Sequence, residues 1–123
     1  MPKPALFVYG TLHPDRAPAE IAHAVRHLRE LGPGTLRGTR YDLGEYPGVV
    51  IHSGHSEEVA GTVFALPDDP AILAALDRYE DYRPSDLDSS LFVRTQHAVT
   101  MADGTTIECW VYLYNQPLRI KFE

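Results

Sequence analysis

Residues 91–102 and 105–114 are two strand-length runs on either side of Asp103-Gly104, the pair favoured in the two-residue type I′ turn of a β-hairpin. A long antiparallel hairpin is therefore expected near the end of the chain. In its second run Ile107, Cys109, Val111 and Leu113 alternate with Glu108, Trp110, Tyr112 and Tyr114. The strand period of two puts the first set on one face and the aromatic set on the other. Cys109 shares its side with three aliphatic residues, so it reads as core packing rather than a nucleophile. The aromatic face has two readings, a pocket wall or a surface that meets another sheet or a partner.

The rest of the chain must supply what packs against this hairpin. Ala5 to Tyr9 is a short apolar run closed by Gly10 and is expected to be a buried strand. From Pro18 the spacing of Ile21, Val25, Leu28 and Leu31 lines one face of a helix, which Gly32-Pro33 is expected to stop. Strand-like segments follow at 35–43, 49–52 and 59–66, separated by the turn-rich pieces GEYPG and SGHSEE. Asp68 or Asp69 can cap a second helix, with Pro70 in its first turn, Ile72, Leu73 and Leu76 on its apolar side and its end near Glu80. The polar segment DYRPSDLDSS, 81–90, reads as a loop that overhangs a pocket. No repeat or linker interrupts residues 1–123, so the expectation is one α+β domain with mostly antiparallel strands.

Composition narrows the partners. With 11 Lys plus Arg against 17 Asp plus Glu, the formal charge of −6 offers little to a phosphate backbone or an anionic membrane. The apolar run before Gly10 is shorter than the ~7–15 residues of a secretory h-region, and no run approaches a membrane span. Cys109, the single cysteine, has no internal disulfide partner. A cytoplasmic protein is expected.

Two short motifs hold candidate chemistry. After the first strand, the backbone N–H groups of Gly10, Thr11 and Leu12 and the Thr11 hydroxyl can form a nest for a carboxylate or phosphate. Glycine is common wherever a strand ends in a turn, so an ordinary strand end is the plainer reading of that loop by itself. In LDRYEDY, 76–82, Glu80 falls at a helix end beside Tyr79 and Tyr82. Loss of water among aromatic rings, and the exposed carbonyls of a helix C-terminus, both raise a carboxyl pKa toward the range a general acid/base needs. Taken alone, Glu80 is more readily read as a solvated surface glutamate. His52, His55, Glu57 and Glu58 lack a second ligand pair at metal-binding spacing, so no metal site is expected.

Together the pieces are recognisable. FVYGTL, YDLGEYPGVV, VAGTVFAL, LDRYED and the FVR strand, in that order, resemble the γ-glutamylcyclotransferase-like family, and the YGTL wording is most similar to its γ-glutamylamine branch. The resemblance implies a small, mixed, mostly antiparallel β-barrel with about two flanking helices and a pocket at one mouth. It implies substrate binding by Tyr9, Gly10, Thr11 and Leu12, with Tyr46 and Tyr114 as pocket walls, and proton transfer by Glu80. The implied reaction converts a small-molecule γ-glutamyl substrate to 5-oxoproline and a free amine, with no cofactor and no metal.

Asp81 stands where many members have glycine, the 81–90 loop is longer than in compact members, and Phe92 replaces a common tyrosine. These differences bear on which amine leaves. A biosynthetic γ-glutamyl intermediate in place of a metabolite, a non-catalytic module of the same fold that binds an amino-acid-like ligand, and an interaction domain using Trp110, Tyr112 and Tyr114 are the alternatives. Oligomeric state is not legible.

Overall fold

A computed structural model describes residues 4–10, 17–43, 47–51 and 57–116. The elements in chain order are β1 (Ala5–Val8), α1 (Ala19–Val25), β2 (Arg29–Arg37), β3 (Thr39–Asp42), β4 (Pro47–Val50), β5 (Glu58–Ala65), α2 (Pro70–Tyr79), a 3-10 turn (Leu87–Ser89), β6 (Phe92–Met101) and β7 (Thr106–Tyr114). Five strands close into a barrel in the order β1-β5-β2-β6-β7, while β3 and β4 form a separate two-stranded sheet. Every pairing is antiparallel except the seam, where β1 meets β7 in parallel at Leu6 and Trp110. The mixed barrel with two helices agrees with the expected fold.

Side chains alternate between two cores. Phe7, Leu36, Val63, Val99, Cys109 and Val111, drawn from all five barrel strands, meet in one buried cluster that fills the interior. Their neighbours Leu6, Val8, Phe64, Phe92 and Tyr112 face outward, where Ile21, Val25, Ile72 and Leu76 of the helices cover them. A strand buried on both faces carries apolar residues at successive positions, which is why β1 reads as an unbroken run. Cys109 is buried in the interior, as its alternation implies. The aromatic face of β7 lies under the helix layer, with Tyr112 buried and Trp110 partly so, and this leaves little of it as free surface.

A barrel of only five strands has a narrow interior, and glycine makes room in it. Gly34 and Gly61 are direct partners across β2 and β5. A Cβ at Gly61 would stand 2.5 Å from the Val8 carbonyl oxygen and 2.6 Å from Phe7 Cζ, and one at Gly34 would stand 2.8 Å from Val99 Cγ1. The bare backbone at this pair lets the Phe7 ring occupy the centre.

Helix α2 follows its sequence signals. Asp69, rather than Asp68, is the N-cap and accepts from Ala71 N at 3.0 Å, Pro70 opens the helix, and Glu80 is the C-cap. Helix α1 is shorter than expected. It ends at Val25, and His27 N→Ala24 O and Leu28 N→Val25 O close a tight turn before the chain enters β2. Leu28 still reaches the core from that turn, whereas Leu31 is 44% exposed and Gly32-Pro33 lies inside a strand. Seven helical residues contribute little by themselves, and the ladder from Arg29↔Ala65 onward outcompetes further helix. A bulge between Glu30 and Gly32 absorbs the irregular spacing, with Gly32 at φ +135°.

Three further expectations change. The 35–43 segment is two strands, split at Gly38, whose N–H turns to Glu57 O at 2.9 Å. The hairpin turn is a three-residue loop: Gly104 N donates to Met101 O at 3.0 Å, Met101 N to Thr105 O at 2.7 Å, and Gly104 alone adopts positive φ (+89°). A type I′ turn would need positive φ at Asp103 as well; this loop is instead a turn followed by a left-handed glycine. Segment 81–90 is stapled from within. Buried Ser90 accepts from Arg83 N through Oγ at 2.8 Å, and its hydroxyl lies 3.2 Å from Arg83 O and 3.1 Å from Asp86 O. Asn115 Nδ2 donates to Leu87 O and Ser90 O, tying the segment to the end of β7.

Two glycine substitutions separate steric from backbone cost. Gly61→Ala is expected to lower unfolding free energy by ~2–3 kcal/mol, since backbone and a core ring must give way. At Gly104 no atom lies within 4 Å of a new Cβ. Gly104→Ala is therefore expected to cost about 1 kcal/mol, from the left-handed backbone alone. Denaturant melts of the two variants check both values.

Candidate active site

The end of α2 is built around Glu80. Tyr82 N donates to Asp77 O at 2.9 Å and Asp81 N to Arg78 O at 3.2 Å, with Asp81 at φ +56°. This pair of bonds with a left-handed residue after the cap is a Schellman motif, and it fixes the backbone on both sides of Glu80. Asp81 fills the position that favours glycine and pairs through Oδ1 with Arg83 Nε at 3.0 Å.

Glu80 itself is partly buried. Burial pushes its carboxyl up from 4.5 to about 7. Among the described residues no hydrogen bond or ion pair compensates for the lost water. The expectation that a carboxyl here is held near neutrality thus has a geometric basis.

Tyr9, the last residue before Gly10, crosses the seam. Its buried hydroxyl donates to the Tyr112 backbone carbonyl. Burial raises its phenol pKa, the Glu80 charge raises it further, and the Val49 N–H and the Arg40 guanidinium act in the opposite direction. The titration of Tyr112 is likewise raised, first by burial, then by its bond to Asp77 and the charge there, with Glu80 adding to it. Two phenols from opposite sides of the seam therefore share an electrostatic neighbourhood with Glu80.

The small β3–β4 sheet lies against the same end of the barrel. Arg40 Nη1 donates to Tyr9 O at 3.0 Å, anchoring the strand end just before Gly10. A Cβ on Gly10 would come 3.2 Å from Pro47 Cγ, and one on Gly48 would come 3.0 Å from Tyr114 Cβ. Glycine at these positions lets β4 sit closely on the loop start and on β7. Tyr114 also packs edge-on against Phe92, with ring centroids 5.7 Å apart.

The Glu80 charge thus reaches Tyr9, and β4 joins Gly10 and Tyr114 to the end of the barrel where Tyr9 lies. Thr11, Leu12 and Tyr46 lie outside the described residues, as do His52 and His55. Among the described residues no group of three His, Cys, Asp or Glu side chains could hold a metal ion. None of the described helices is long and apolar enough to cross a membrane.

Sequence reasoning missed the polar cluster behind Glu80. Arg94 forms a bidentate pair with Asp77, Nε to Oδ1 at 2.8 Å and Nη2 to Oδ2 at 3.2 Å, and the Tyr112 hydroxyl donates to Asp77 Oδ1 at 2.6 Å. The Arg94 guanidinium carbon lies 4.2 Å from the Trp110 ring centroid and 5.6 Å from that of Tyr82. The available signal was the i, i+3 spacing of Asp77 and Glu80, which places both on one side of α2.

Comparison with known proteins places this geometry in a family. The family model described as "Gamma-glutamyl cyclotransferase, AIG2-like" matches residues 6–122. A Drosophila melanogaster protein named "Putative gamma-glutamylcyclotransferase CG2811" is 32% identical over 121 residues, covering 88% of this chain and 68% of its own length. Among solved structures, YkqA from Bacillus subtilis superposes with a TM-score of 0.70 at 18% identity over 93% of this chain, which spans only 36% of YkqA. An AIG2-like protein from Mus musculus gives 0.66 at 22% identity, covering 92% of this chain and 78% of its own. At such identities the structural likeness speaks to the fold. The match over residues 6–122 goes further: the chain belongs to the gamma-glutamyl cyclotransferase, AIG2-like family.

Proposed function

We propose that this protein is a cyclotransferase that converts a γ-glutamyl amine to 5-oxoproline and releases the free amine, with Glu80 as general acid/base. The observation that carries this reading is a carboxyl pushed up to about 7 by burial, whose charge also raises the titration of Tyr9, the tyrosine that opens the YGTL loop. Family membership supports the reaction class. The choice of a γ-glutamyl amine rests on the YGTL wording.

The reaction is an intramolecular aminolysis. Near neutral pH the α-amine of the substrate is mostly ammonium, and Glu80 as carboxylate removes its proton. The freed nitrogen attacks the γ-carbonyl carbon, closing a five-membered ring. The tetrahedral species then breaks its bond to the original amide nitrogen as its oxyanion re-forms the carbonyl; the leaving nitrogen takes the first proton back from Glu80, and the regenerated carboxylate accepts the second proton from the ring nitrogen and passes it to the departing amine. No water, metal or redox partner enters this balance.

The chain's other contribution is orientation. Nucleophile and electrophile share one flexible molecule, and holding its bent form can contribute up to ~7–11 kcal/mol. In this reading the Gly10, Thr11 and Leu12 amides take the substrate α-carboxylate, which aims the α-amine at Glu80. Tyr46 and Tyr114 wall the pocket. Location in the cytoplasm, and action as one catalytic unit on a small molecule rather than on nucleic acid, belong to the same proposal. They rest on the lone buried Cys109 and the charge of −6.

A panel of γ-glutamyl amines, assayed for 5-oxoproline, tests the activity. Turnover is expected with at least one, kcat is expected to fall as pH drops through about 7, and Glu80→Gln is expected to lose at least ~100-fold. Unchanged turnover in that variant would remove Glu80 from the mechanism, and binding without turnover across the panel would point to a ligand-binding member of the fold.

The same substitution is expected to stabilise the protein. Because folding raises the Glu80 pKa, the unfolded chain loses this proton first. Stability is therefore full below about pH 4.5 and declines as pH rises through about 7. Glu80→Gln carries no such penalty, so it should gain about 3 kcal/mol over the parent at pH 8 and almost nothing at pH 4. Paired thermal melts at the two pH values check the difference.

A further inference from the structure

Both phenols whose titration feels Glu80 have already committed their single proton. Tyr9 donates to the Tyr112 carbonyl, and Tyr112 donates to Asp77. A phenol has one O–H, so neither can also donate to Glu80 in this arrangement. Asp77 collects three donors, two from Arg94 and one from Tyr112, and sits one helical turn before Glu80. The Arg94 and Asp77 side chains are only 14% and 15% exposed. Stacking near Trp110 and Tyr82 holds the guanidinium in place.

We propose that Asp77, Arg94 and Tyr112 are positioning residues for Glu80: they lock the last turn of α2 to the β6–β7 hairpin and keep nearby donors and positive charge away from its carboxylate. The catalytic consequence rests on the Glu80 role proposed above; the positioning itself does not. Opposite charges on Asp77 and Arg94 cancel within a fixed, bidentate pair, so little net field reaches Glu80. Among the described residues the other charged or titratable groups of this region are paired. The Glu80 charge acts on Tyr9, just past β1, and on Tyr112 of β7, and both hydroxyls already donate elsewhere. Arg40 of β3 is held by the Tyr9 carbonyl, and Asp81 and Arg83 pair with each other.

Breaking the two halves of the pair should act in opposite directions. Asp77→Asn leaves the Arg94 charge unbalanced and favours the Glu80 carboxylate. Arg94→Gln leaves a second carboxylate unbalanced one turn away and disfavours it. A role confined to holding the fold together would move both variants alike.

The experiment follows the Glu80 carboxyl by 13C NMR titration of the full chain without substrate, its signal assigned by loss in Glu80→Gln. The expected midpoint falls by about half a unit or more in Asp77→Asn and rises by a similar amount in Arg94→Gln. Shifts of the same sign, or none, overturn the proposal. Should Arg94→Gln fail to fold, Asp77→Asn alone decides, a lower midpoint supporting the proposal and an unchanged or higher one overturning it. Where turnover is measurable, the acid limb of kcat should follow the same shifts. Opposite titration shifts in a protein that turns over no γ-glutamyl amine would uphold the positioning unit and reject the proposed reaction.

Discussion

The parallel seam between β1 and β7 is the constraint on which the rest of the molecule depends. Only there does the first strand meet the last, at Leu6 and Trp110, and without it the five strands would be an open sheet with two bare edges. Closure also brings the Tyr9 hydroxyl across to the Tyr112 carbonyl, and the Glu80 charge raises the titration of both tyrosines. Parallel pairing is slightly weaker per residue than antiparallel pairing, and this seam is short. What holds it is burial on both sides: Phe7 inward, Leu6 and Val8 outward under the helices.

The proposed site gives up stability at Glu80. A partly buried carboxyl with no donor among the described residues is an unfavourable choice for a fold, and its persistence asks for rigid surroundings. The Schellman motif fixes the backbone at Glu80, and the Asp77–Arg94 pair fixes the helix end against the hairpin. Buried ion pairs often contribute little net stability. Here the geometry gives the pair a different worth, because it restrains one helix turn against two strands.

Much of the architecture was legible because its causes are local. Asp69-Pro70 with the Ile72 and Leu76 stripe announces α2, and the alternation through Ile107 to Tyr114 announces β7 with Cys109 turned inward. Helix α1 was overread because Leu28 serves the same core from a turn that it would have served from a helix, and the competing ladder to β5 lies more than thirty residues away. The barrel came from resemblance, since nothing local states that β1 must reach β7. Glu80, Tyr9 and Arg94 were visible in motifs, yet the pairing of Arg94 with Asp77 was not. A two-residue turn at Asp103-Gly104 would set Arg94 opposite Leu113, whereas the three-residue loop sets it opposite Tyr112. One residue of register separates a polar cluster from a buried orphan charge.

The stapled segment at 81–90 has a consequence for how the end of the barrel can vary. Ser90 closes it with bonds to Arg83 and Asp86, and Asn115 fastens it to the barrel, so its shape is set before any ligand arrives. A segment fixed in this way, where it borders the proposed pocket, would sort ligands by fit with little loss of chain freedom on binding. It is also a module with its own fastener. A segment of different length exchanged between relatives would have to bring an equivalent of Ser90 with it, or else convert a fixed rim into a floppy one and blunt its discrimination.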